Sequence, residues 1–115
     1  MLNELACMLG KKDEEPNINL AIKLCETENV EGIKEIVSGL YSKKNIANDC
    51  IKVLYEIGER NPLLIAEYVD VFLDLLSSKN NRLVWGSMTA LSEIVPIKAE
   101  KIVKNIDKVI NAYKE

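Results

Sequence analysis

The sequence predicts an all-α domain of about three stacked helical hairpins. Its apolar residues recur with a period near 3.6 along the whole chain, and no stretch alternates as a half-buried strand does. The same two-helix order returns every 36 or 37 residues. Length sets the scale: 115 residues, 48% hydrophobic and 29% charged, make one small globular domain rather than two, or a disordered chain.

The elements follow in order. Residues 1–12 carry Leu2, Leu5, Ala6 and Leu9, enough for a short capping helix, followed by the charged loop Lys11-Lys12-Asp13-Glu14-Glu15. A short helix over 18–26 follows Pro16-Asn17. Segment 30–42 places Ile33, Ile36, Val37 and Leu40 on one face, with Asn29 as its N-cap. Segment 46–60 does the same with Ala47, Cys50, Ile51, Leu54 and Ile57, ending near Gly58. In 62–78 the stripe is Leu64, Ile65, Tyr68, Val69, Phe72, Leu73 and Leu76, introduced by Asn61-Pro62, a cap and a proline at the first helical position. Segment 82–95 carries Val84, Met88, Leu91, Ile94 and Val95 and is expected to stop near Pro96. A last helix over 98–114 is expected to bury Ile102, Val103, Ile106, Val109, Ile110 and Tyr113.

A shift of 37 residues lays the last two helix pairs on each other. Leu54 meets Leu91, Glu56 meets Glu93, Ile57 meets Ile94, Val69 meets Ile106 and Asp70 meets Asp107. A shift of 36 brings Ile33 onto Val69, Ile36 onto Phe72 and Leu40 onto Leu76. The units run approximately 17–44, 45–80 and 81–115. One helical hairpin cannot bury its apolar face alone, so such units stack, each covering the next.

The run Asp49-Cys-Ile-Lys-Val-Leu-Tyr-Glu-Ile-Gly58, the turn Glu-Arg-Asn-Pro62, the second helix, and Leu75-Leu76-Ser-Ser-Lys-Asn80 resemble a HEAT repeat of the adaptin-like kind. Asn81-Arg-Leu-Val84 with Ala90-Leu91-Ser-Glu-Ile94 resembles the start of another. Two positions depart from that pattern: Trp85 stands where a basic residue is common, and Pro96 shortens the inter-helix turn. The resemblance covers roughly 17–115. It implies a short right-handed α-α superhelix, an armadillo-like α-solenoid whose second helices line a concave, partner-binding surface.

Composition excludes several kinds of chemistry. There is no histidine, so the usual general base and the commonest metal ligand are missing. Cys7, Cys25 and Cys50 form no C-x-x-C pair and read as small buried hydrophobes of a reducing, cytoplasmic compartment. Leu5-Ala6-Cys7 lacks the basic and apolar lead of a lipoprotein signal, and no run approaches the roughly 20 apolar residues of a membrane helix. With no glycine-rich phosphate loop either, no catalytic, cofactor or metal residues are assigned.

Charge supplies the remaining leads. Residues 1–78 hold eight Lys/Arg and fourteen Asp/Glu, a balance of −6, whereas residues 79–115 hold seven and four, a balance of +3. Lys98, Lys101, Lys104 and Lys108, spaced 3, 3 and 4 apart, fall along one side of the predicted last helix. Glu67, Asp70 and Asp74 form an acidic counterpart on the preceding second helix. The rows make either a steering surface for a partner or a solvated face on which they pair with each other. Trp85, the single tryptophan, is expected at the edge of the buried stripe, as an interface anchor or as cover for the join between repeats.

The expected function is a non-catalytic adaptor or scaffold that holds a protein partner on its second helices. A nucleic-acid or phosphate-binding accessory role through the lysine row is the alternative. Pairing of the solenoid ends into a homodimer is a third expectation.

Overall fold

In a computed structural model that describes residues 1–114, the chain is all-helical, and the described residues contain no strand. Six α-helices carry the fold: α1 (Glu15–Thr27), α2 (Val30–Gly39), α3 (Lys44–Arg60), α4 (Val69–Leu75), α5 (Asn81–Lys104) and α6 (Ile106–Lys114). Helix α3 packs between α1 and α5, α2 packs on α3, and α4 packs on α5. The radius of gyration is 13.3 Å, as expected for a compact domain of this length. No described helix is long and apolar enough to cross a membrane.

The core follows most of the apolar stripe read from the sequence, but Val95 is exposed and Leu64 and Tyr68 are half-buried. Leu24, Ile33, Ile36, Leu54, Ile57, Ile65, Phe72 and Ile94 are fully buried. Helix α2 starts where Asn29 predicts, since its side chain accepts a hydrogen bond from the Gly32 amide at 2.9 Å. Gly86 lets α5 approach α3 closely: a β-carbon there would fall 2.5 Å from Ile51 Cγ1.

Several elements differ from the sequence expectation. The capping helix over 1–12 is a 3₁₀ turn, Leu2–Glu4, followed by turns to Gly10. Helix α1 begins at Glu15 and is a full 13 residues, which puts Asn17 inside it and completely buried. Asn17 joins three segments, because it accepts from the Ala6 amide at 2.9 Å and donates to Asp49 Oδ1 at 2.9 Å, while Asp49 Oδ2 accepts from the Cys7 amide at 2.8 Å. These bonds anchor the N-terminal turns to α1 and α3.

The single helix expected over 62–78 is broken. Two 3₁₀ turns, Pro62–Leu64 and Ala66–Tyr68, precede α4. Asn61 makes no side-chain cap, and the break at Ile65 (φ −115°, ψ −3°) allows the consecutive residues Ile65 and Ala66 both to turn inward. Tertiary burial overrides helical continuity here.

Pro96 is followed within two residues by the break expected near it. The proline lies on the exposed side of α5, and the backbone departs from helical geometry only at Lys98 (φ −122°, ψ 27°). The last helix is then interrupted a second time, at Asn105 (φ −114°, ψ 23°). Of the residues expected to be buried over 98–114, Ile102 is buried and Val109 half-buried, whereas Val103, Ile106, Ile110 and Tyr113 are exposed. Their exposure follows from how α6 docks. It turns Ala112 and Val109 inward and leaves the neighbouring apolar arc uncovered.

Candidate functional site

The lysine row does not survive as a single row. Lys98 is the kink residue of α5, Lys101 and Lys104 occupy its last turn, and Lys108 lies on α6 beyond the break at Asn105. Lys98, Lys101 and Lys104 line one open groove of about 500 Å³ together with Ile97, Glu100 and Asn105. Lys108 lines a different depression, of about 420 Å³, with Leu73, Leu76, Ser77 and Ala112.

Of the acidic counterpart, Glu67 sits in the second 3₁₀ turn, while Asp70 and Asp74 lie on the exposed side of α4. The two rows meet at one point, where Lys101 Nζ donates to Asp70 Oδ2 at 2.9 Å. Lys104 turns back to Glu100 at 3.6 Å. Two of the three lysines lining the α5 groove therefore have carboxylate partners, which reduces the positive field it presents.

Trp85 is 53% exposed and meets Tyr113 edge to face, with ring centroids 6.0 Å apart and planes at 88°. It also lines a shallow groove of about 250 Å³ between α3 and α5, with Asn48, Ile51, Tyr55, Arg82 and Thr89 around it. A tryptophan so placed braces α6 against α5 and still offers much of its indole to solvent.

Sequence reasoning missed the apolar part of this region. Val103, Ile106, Ile110 and Tyr113 are all exposed, Ile110 by 44% and Tyr113 by 64%. At 100° per residue, Ile106, Ile110 and Tyr113 share one side of α6. The signal was present as the 3.6 periodicity, but periodicity shows that a face is apolar and not whether anything covers it.

Of the three cysteines expected to be buried, Cys50 is, whereas Cys7 and Cys25 are half-buried. Burial pushes Cys7 up to about 11, helped by the neighbouring Asp49 carboxylate, and Cys50 up to about 12; Cys25 is also raised by burial. None of the three is in a disulfide.

The two glutamates that the 37-residue shift lays on each other differ sharply. Glu56 is held by Lys52 at 2.9 Å and by Arg60 at 2.8 Å, four residues to either side. Burial alone would raise it, but the hydrogen bonds from Arg60 and Lys52 outweigh burial and hold it below the usual carboxylate range. Glu93 has Thr89 and Ile97 at the corresponding places, hence no cation. Its Oε1 is buried with no hydrogen-bond partner, and burial, with Glu59 and Glu56 adding repulsion, lifts it to about 8.

Comparison of the chain with protein-family models, with curated proteins and with solved structures finds no match.

Proposed function

We propose that this chain is a non-catalytic protein-interaction module, a short HEAT-like solenoid that holds a protein partner on its C-terminal second-helix region. The observation that carries the reading is the uncovered apolar arc of Ile106, Ile110 and Tyr113 on α6, with Trp85 beside it. A helix with one apolar face normally buries that face, and clustered exposed apolar side chains mark interaction surfaces. A half-exposed tryptophan braced by a tyrosine suits an interface anchor.

The solenoid part of the reading rests on the 36–37-residue spacing and on α3 packing between α1 and α5, the arrangement expected when first helices of successive units lie side by side. The acidic and basic residues nearby steer a partner more than they hold it. The expected location is the cytoplasm.

The alternative is phosphate or nucleic-acid binding through the groove of Lys98, Lys101 and Lys104. It is weakened by the carboxylates of Asp70 and Glu100 already engaged there. Capture from a lysate on immobilised protein, with and without nuclease, separates the two. The interaction reading expects a protein retained after nuclease and lost when Ile106 and Ile110 are changed to aspartate. Material that is held only without nuclease, and released as salt rises toward physiological strength, would replace it with the phosphate reading.

A further inference from the structure

We propose that Glu93 is a proton-operated latch between α5 and α3: it sits as a neutral carboxylic acid in a notch at Gly58 while the two helices are closed, and takes up charge when they part. The geometry begins with Gly58. A β-carbon there would overlap Glu93 Oε1, and Ile65 Cδ1 closes on the same point from the segment before α4. The missing side chain at Gly58 leaves the carboxyl group room here; a larger residue would make the ends of Glu93 and Ile65 move aside.

The surroundings favour the neutral form. From α3, the ionisable groups acting on Glu93 are Glu56 and Glu59, both acidic, and the nearby cations Lys52 and Arg60 are committed to Glu56. The segment before α4 contributes Ile65, which is uncharged. On α5 itself, the residues four before and four after are Thr89 and Ile97. The second unit supplies the contrast: there the same carboxylate is clamped by a lysine and an arginine at those two spacings. The third unit keeps the glutamate and replaces both cations.

A carboxylate pressed into this notch would be poorly hydrated and would face two like charges, so closing favours the acid. The direction of the effect follows. With a closed-state value near 8 and an ordinary carboxylate value near 4.5 when open, the closed form binds one proton more than the open form across that interval. The latch is at full strength below the open-state value and weakens as pH rises, until it is spent near 8. The chain has no histidine, so no histidine titration overlaps that window.

Two measurements on the whole chain test this. Carbon NMR of the Glu93 side-chain carboxyl should give a midpoint near 8, and a midpoint near 4.5 overturns the proposal. Hydrogen exchange of the α5 amides around Glu93, corrected for intrinsic rates, should show protection falling by up to about tenfold per pH unit between 5 and 8. That slope should vanish in Glu93→Gln, which keeps the shape and cannot ionise; an unchanged slope in this variant also overturns the latch. Thr89→Lys with Ile97→Arg, which restores the clamp of the second unit, should return the Glu93 midpoint to the ordinary carboxylate range or below it.

Discussion

Lys101 of α5 reaches Asp70 of α4 across 2.9 Å, and this ion pair joins the lysines of α5 to the acidic row of Asp70 and Asp74. Both side chains are largely solvent-exposed, so the pair contributes at most about 1 kcal/mol. Lys101→Glu should therefore shift the urea midpoint only slightly, with an unchanged slope. A loss of several kcal/mol would mean that the pair organises the α4–α5 contact, which its exposure argues against.

The buried Asn17 is the opposite case. Asn17→Ala leaves the Ala6 amide and Asp49 Oδ1 without partners, at about 1–3 kcal/mol for each group stranded. Equilibrium unfolding should register that loss, and limited proteolysis should cut sooner within residues 1–12, whose turns the network anchors. Unaltered stability would show that these bonds are not retained in solution.

Glu56 and Glu93 should respond to pH with opposite signs. Glu56 lies below its ordinary value when folded, so its contribution is present above the unfolded-state value and is lost as pH falls through the folded one. Glu56→Gln should flatten the acid side of the stability profile and leave the region between 5 and 8 unchanged. If the acid side keeps its slope in this variant, the Lys52–Glu56–Arg60 clamp is not its source.

Gly86 permits the close approach of α5 to α3. Gly86→Val pushes side-chain atoms into Ile51, and overpacking of this kind costs about 1–3 kcal/mol, readable as a lower melting temperature. A neutral result would mean that the helices are farther apart than described.

How much was legible in the sequence can be judged from particular residues. The faces of α2 and α3 follow directly from Ile33, Ile36, Cys50 and Leu54, and the Asn29 cap forms as its chemistry dictates. The break at Lys98 is legible from Pro96 two residues before it, whereas those at Ile65 and Asn105 carry no proline and are not. Proline marked the break to within two residues: the stop expected near Pro96 is the kink at Lys98. The lysine spacing was read on a continuous helix that does not exist, which is why Lys108 separates from Lys98, Lys101 and Lys104. Asn17 gave no sign of its role, since a polar residue near a helix start looks like a cap whether or not it is buried. The contrast between Glu56 and Glu93 was half visible: the register equated them, but only the packing shows one clamped and the other alone.

The interaction reading is tested most directly by the emission of Trp85, the single tryptophan. Exposed by 53% in the free chain, it should emit at long wavelength and be readily quenched by acrylamide. Adding the protein captured by the wild-type chain, prepared without tryptophan, should shift the emission to the blue and protect it from quenching, and Ile110→Asp should abolish both changes. Binding that leaves the emission and quenching of Trp85 unchanged would place the partner elsewhere and contradict the account.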